Sequence, residues 1–252
     1  MKKIIDLVTV TGVTDHTKIG EMLAITQRYP FVEFGILLSK RSAGQSPRFP
    51  SFEYLKHLCD VFTQANSNPL RLAGHVCGEW VKEILHGYWP TEAFDQIHPE
   101  LDKEGIFSRW QINTHAQGYL IDYPKLMMNV VGPRGLQKQT VIFQRDGVND
   151  GLGDTMVKYG CQNVAGLFDL SHGAGIMPTA WPSPVAYSCG YAGGLSPKNV
   201  ASVLAKLESV IDKSSTSTLW IDAETHLRSK DDSVFDLKKV MAFLEASKPW
   251  VK

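Results

Sequence analysis

Apolar residues along this chain follow two alternating rhythms. Short continuous runs rich in branched and aromatic residues, at 4–11, 31–38, 70–77, 110–113 and 140–144, predict strands buried on both faces. Between them the apolar positions recur every three or four residues. Ile19, Met22, Leu23 and Ile25 predict a helix within 17–28, and Tyr54, Leu55, Leu58, Val61 and Phe62 predict another behind the N-cap candidate Ser51. Further helices are expected at about 79–86, at 123–131 with closure by Gly132-Pro133, and at 151–159 with an end at Gly160. Three more apolar runs, beginning at Val164, Ala186 and Leu219, each end in polar or glycine residues, and final helices fall at about 197–213 and 236–246. The segment 88–109, with Pro90, Pro99 and mixed polarity, reads as an insertion carrying a short helical piece.

Eight strands alternating with helices through mostly short connections imply a parallel sheet. The 252 residues are close to the length of one eight-stranded α/β barrel. An open doubly wound sheet is the competitor, but no Gly-x-Gly-x-x-Gly follows the first strand and no Gly-Lys-Ser/Thr phosphate loop occurs. The expected fold class is therefore α/β, a single (β/α)8 TIM barrel spanning 1–252, with working groups at the carboxyl ends of the strands.

Charge adds one constraint. Lysine plus arginine (26) balances aspartate plus glutamate (26), so no global field favours nucleic acid or an anionic membrane, and an anionic small-molecule substrate must be captured locally. Cys59, Cys77, Cys161 and Cys189 form no C-x-x-C pair, which argues against a zinc knuckle or a disulfide framework and predicts reduced thiols in a cytoplasmic protein. The opening Met1-Lys-Lys and apolar run could pass for a signal peptide, but Asp6 interrupts it and no cleavage site follows. No run approaches the roughly 18 apolar residues of a membrane span. A homodimer is compatible with the sequence, and no cofactor is called for.

Candidate chemistry collects where the strands end. Asp169 stands beside His172 and Gly173, and a carboxyl against apolar strand neighbours can have its pKa raised into a useful range; the bland alternative is a loop cap or an arginine partner. Asp222 and Glu224 lie two apart on one strand and so point the same way, which is expensive inside a barrel unless they meet a cation, a proton or donors. Glu224, nearer the mouth, and His75 join Asp169 as the catalytic candidates, whereas Asp222, deeper in the barrel, is expected to organise structure or to contact substrate. Alternation also delivers Gln111, Asn113 and His115, which with Glu33, Arg145, His172 and His226 could line one pocket. Histidines and carboxylates can hold a metal, but no H-x-H or H-E-x-x-H spacing occurs, so acid, base or donor roles are preferred and no metal is assigned. Cys77 is expected to be a packed thiol. Lys40, Arg41 and Arg48 form a basic loop that is either solvated or a lid, and Trp181 in its proline-rich loop is a candidate cover.

From about 164 onward the sequence resembles phosphoribosylanthranilate isomerase. Leu167-Phe-Asp169 is similar to that family's sixth-strand Leu-Leu-Asp, and Ala192-Gly-Gly-Leu-Ser-Pro-Lys-Asn-Val200 to its Ser/Ala-Gly-Gly-Leu-x-Pro-x-Asn-Val. Ile221-Asp-Ala-Glu224 resembles its Val-Asp-Val-Ser or Val-Asp-x-Glu-Ser, and the spacing from Lys230-Asp231 to Val240 and Phe243 resembles its close. The resemblance implies a barrel in which Asp169 is the general acid and Gly193 and Gly194 hold a phosphate. The family's Lys-Ile-Cys-Gly-Ile-Thr, which supplies the general base, is matched by Thr9-Val-Thr11-Gly-Val-Thr14, and an unassisted threonine hydroxyl cannot deprotonate carbon near neutrality. Thr225-His226-Leu227-Arg228 replaces the second half of the phosphate site, so His226 and Arg228 either restore positive charge or mark another ligand. The expectation is an isomerase or lyase acting on a small phosphorylated or carboxylated metabolite. A catalytically silent binding protein and a metal-assisted aldolase or hydrolase are the other classes.

Overall fold

The computed structural model describes residues 2–64, 70–103, 106–115, 117–131, 136, 138–211 and 217–252. Its eight strands are β1 (Leu7–Thr11), β2 (Val32–Leu38), β3 (Leu72–Val76), β4 (Arg109–Ile112), β5 (Thr140–Arg145), β6 (Val164–Phe168), β7 (Cys189–Tyr191) and β8 (Leu219–Ala223). They pair in parallel in chain order, and β8 closes on β1. The helices are α1 (Ile19–Arg28), α2 (Phe52–Gln64), α3 (Glu79–Leu85), α4 (Thr91–Ile97), α5 (Tyr123–Leu126), α6 (Gly151–Lys158), α7 (Val200–Val210) and α8 (Leu237–Ser247). Ser51 caps α2 as expected, its Oγ accepting the Tyr54 amide at 3.1 Å. None of the described helices is long and apolar enough to cross a membrane.

Continuous burial of the strands has two different causes. Outward-facing Val8, Val10, Phe34, Ile36, Val141, Phe143 and Ile221 join one large apolar cluster with the helices. Inside the barrel the apolar cluster is small: Ile142, Ala165, Leu167, Ala192 and Trp220. The alternating partners of the outward residues are polar and buried, including Thr9, Thr11, Glu33, His75, Arg109, Gln111, Gln144 and Asp222. Barrel interiors are usually filled by bulky branched residues. This one is a polar network.

Two features depart from the pattern expected from sequence, and two others fill it in. The first strand is shorter, starting at Leu7, with Ile5 making only an isolated bridge to Val251. The 123–131 helix is α-helical only to Leu126 and continues as a π-helical turn, Met127–Val131; its expected closure at Gly132-Pro133, like residues 212 and 213 of the 197–213 helix, lies outside the described residues. The 88–109 segment joins the outer layer: Phe94 of α4 stacks on Trp110 at 5.5 Å, and Trp89 and Phe107 meet the same indole at 5.0 and 4.8 Å. Finally, as the proline-rich loop implied, no helix separates β6 from β7. Pro178, Pro182 and Pro184 remove amide donors and fix φ there, so the connection runs as an extended loop.

Candidate active site

Carboxyl ends of the strands surround a cavity of about 210 Å³. The barrel brings eleven of the predicted pocket residues to its wall: His75, Gln111, Asn113, His115, Asp169, His172, Gly193, Gly194, Asp222, Glu224 and His226. Parallel register sets them in rows. His75 pairs with Gln111 across β3 and β4, and Gln144 pairs with Leu167 across β5 and β6, so each side chain inherits the inward parity of its neighbour.

The carboxyl groups are held in contrasting ways. Asp222 is 6% exposed, and its Oδ1 accepts the Thr11 hydroxyl at 2.8 Å. Burial raises its pKa to about 8; the Thr11 bond opposes this, and the negative charges of Glu224, Glu33 and Asp169 reinforce it. Asp222 is therefore favoured in its protonated form near neutrality. Thr11 reaches it because Gly35 stands beside it: a Cβ there would lie 2.1 Å from Thr11 Oγ1. Asp169, by contrast, is surrounded by donors. Its Oδ1 accepts from the amide and hydroxyl of Ser171 at 3.1 and 2.8 Å, and its Oδ2 from Gly173 N at 3.2 Å and Gln144 Nε2 at 3.5 Å. Glu224 is also raised by burial, against the pull of Arg48, whose Nη1 it accepts at 2.7 Å.

His75 is neutral. Burial and the positive charge of Arg109 lower its pKa to about 3. Gln111 Nε2 lies 3.4 Å from Nδ1, which places the ring proton on Nε2, and that buried atom has no hydrogen-bond partner. Gln111 also donates to Asn113 at 2.8 Å, and Asn113 donates to Cys77 Sγ at 3.2 Å. Burial pushes the Cys77 thiol up to about 12, so it stays protonated. His172 presents a second buried, unpartnered nitrogen, Nδ1. The backbones of His115 and His172 are left-handed, with φ of 50° and 51°. Non-glycine residues hold that conformation only where their surroundings enforce it, and such strain concentrates at working sites.

Three predicted residues lie elsewhere, and Glu33 is one of them, held by Arg109 and Thr9 deeper in the barrel. Arg145 follows the opposite parity to Gln144 and leaves the barrel, where it binds Asp154 at 2.8 Å and the Tyr187 hydroxyl at 3.3 Å. Arg228 is fully buried as a loop organiser, bonded to Asp232 and to the carbonyls of Gly12 and Pro47. Arg48 of the β2–α2 loop takes their place at the cavity, its Nε bonded to Asp232 at 2.7 Å while Nη1 holds Glu224. Within the same loop, Arg41 faces Glu79 at 3.6 Å on the surface and Lys40 is exposed. Trp181 packs edge-on to Tyr191 at 5.9 Å and is not part of the cavity wall. Gln144 and Ser171 are wall residues that sequence reasoning missed; Val141, Ile142 and Phe143 are all apolar and buried, so no alternation along β5 marks Gln144 as inward-facing. Among the described residues no three histidine, cysteine, aspartate or glutamate side chains converge to hold a metal.

Gly193 and Gly194, at φ of 102° and 66°, are packed by the chain itself. A Cβ on Gly194 would lie 2.5 Å from the Met177 amide nitrogen, and one on Gly193 would lie 3.0 Å from the Ile176 carbonyl oxygen.

Neither a family model nor a curated protein matches this sequence. Solved structures do. Phosphoribosylanthranilate isomerase from Thermotoga maritima, described as monomers of a dimeric enzyme, superposes with a TM-score of 0.51 at 12% identity, over 97% of this chain and 99% of that one. N-(5'-phosphoribosyl)anthranilate isomerase from Pyrococcus furiosus gives 0.51 at 13% identity with the same coverages. At such identities the likeness concerns architecture: this chain has a (β/α)8 fold similar to that of the phosphoribosylanthranilate isomerases.

Proposed function

We propose that the cavity catalyses proton-transfer chemistry, an isomerisation or a lyase-type elimination, on a small polar metabolite. Asp222 serves as the general acid and Asp169 as the general base. The observation that carries this reading is the contrast between the two carboxyls sharing one cavity. Asp222, raised to about 8, has a proton to give, whereas four donors aimed at Asp169 make it an acceptor. A protonated carboxyl and a hydrogen-bond-accepting carboxylate sharing one cavity can act as acid and base at one pH. Position 11 fits the same reading. The isomerases this chain resembles carry a cysteine base there, and here Thr11 instead donates to Asp222 and fixes the position of its carboxyl. His75 Nε2 and His172 Nδ1 are left to meet polar groups of the substrate.

Metabolite pools incubated with the protein in deuterated water test the reading. One metabolite should be converted to an isobaric or cleaved product with deuterium at one carbon, and Asp222→Asn and Asp169→Asn should each abolish the change. No difference between the wild type and the double variant would leave the silent binding protein as the better account. The Thermotoga maritima neighbour is described as dimeric, and a homodimer of this chain is the matching proposal for assembly.

A further inference from the structure

The turn formed by Gly193 and Gly194 has the glycines of an anion cradle, but the chain itself fills the side on which their Cβ atoms would stand. Met177 N and Ile176 O of the β6–β7 loop approach it so closely that any Cβ would collide. The same loop is fastened on its other flank. Thr225 Oγ1 donates to the Gly173 carbonyl at 3.0 Å, His226 Nε2 meets the Gly175 carbonyl at 3.0 Å, and Gly175 itself could carry no Cβ, which would stand 2.8 Å from that of Thr225. The loop from 173 to 177 thus lies between the β7 turn and the β8 turn, bonded to one and in van der Waals contact with the other.

Charge points the same way. Among the described residues of the cavity wall Arg48 is the only arginine or lysine, and Nη1 and Nε of its guanidinium are bonded to Glu224 and Asp232. Three carboxyls, Asp169, Asp222 and Glu224, face the same space. A phosphate dianion brought beside them would lose its hydration without gaining a free cation. Amides of Gln111, Asn113 and Gln144 and the unpartnered imidazole nitrogens suit hydroxyl and amine groups instead.

We infer that the Gly193 and Gly194 turn is the seat of the chain's own 173–177 segment, and that the cavity takes a hydroxyl-rich molecule, uncharged or amine-bearing and of monosaccharide size, carrying no phosphate. The substrate class rests on the proton-transfer reading of the cavity; the seat does not.

Amide resonances of Gly193 and Gly194 test it directly. With inorganic phosphate or ribose 5-phosphate at about 10 mM, enough to fill a site of millimolar affinity, they should stay in place. Saturable binding of either probe in the cavity overturns the inference. So does turnover of phosphoribosylanthranilate, which would leave the roles of Asp222 and Asp169 standing; a failure of those roles would conversely leave the seat standing. Removing both fasteners in a Thr225→Val, His226→Ala variant should speed hydrogen exchange at Gly173 and Ala174 by about tenfold or more. Unchanged exchange in a folded variant contradicts the seat. The wild-type titration decides the matter even if that variant does not fold.

Discussion

Charge is buried at two levels of this barrel, and the two levels treat it oppositely. On the floor, Arg109 grips Glu33 through Nε at 2.9 Å and through Nη2, donates to Thr9 at 3.1 Å, and lies 4.2 Å above the Trp220 ring. Thr9 completes the triangle with a 2.9 Å bond to Glu33. Each charge has a partner and each oxygen a donor. One layer up, Asp222 has a single hydroxyl partner and keeps its proton, and His75 has a ring nitrogen with no partner. The paired Arg109 and Glu33 hold the barrel together, whereas Asp222 and His75, short of partners, are available to a ligand.

The sharpest way to break this comparison is to unpair the floor. Arg109→Met strands the Glu33 carboxylate and should destabilise the protein by about 3–5 kcal/mol, measured by urea unfolding, whereas adding Glu33→Gln should restore much of the loss. The same change in the upper layer should act on chemistry. Asp222→Asn should lower turnover by about 10²–10⁴-fold once a substrate is in hand.

Its stability effect should have the opposite sign to the floor's. The folded pKa of Asp222 lies above its ordinary value near 3.8, so its favourable contribution is complete at acid pH and is lost as pH rises through about 8. Asp222→Asn should therefore be more stable than the wild type at pH 9, by a margin of about 1–4 kcal/mol that shrinks toward pH 4. If the wild type is the more stable protein at pH 9, the upper layer is as well satisfied as the floor.

Smaller effects sharpen the contrast. The His75 ring resonance should not move between pH 8 and 5, because its pKa is lowered to about 3; a midpoint near 6.5 would mean that water reaches it. Arg145→Ala removes a largely buried side chain outside the barrel that bonds Asp154 and Tyr187; it should cost about 1–3 kcal/mol and leave turnover unchanged.

Much of the architecture was legible because it rests on local patterning. The strand and helix rhythms survive translation into three dimensions, and the prolines at 178, 182 and 184 marked the one connection without a helix. The ring of candidate side chains was legible for the same reason, since strand ends of a barrel converge wherever the chain is correctly divided. What failed depends on partners remote in sequence. Arg145 and Gln144 are neighbours with opposite parity, and only pairing with β6 shows which one faces in. Arg228 sits near the mouth in sequence but is consumed by carbonyls at Gly12 and Pro47. The roles of Gly193 and Gly194 depend on a loop segment that no local motif announces.

Carbon-13 titration of the Asp222 carboxyl, followed by NMR from pH 4 to 10, tests the central claim most directly. A midpoint near 8 is the expected result. A midpoint near 4, the ordinary aspartate value, would mean that Asp222 is ionised throughout the working range, and the acid of the proposed chemistry would not exist.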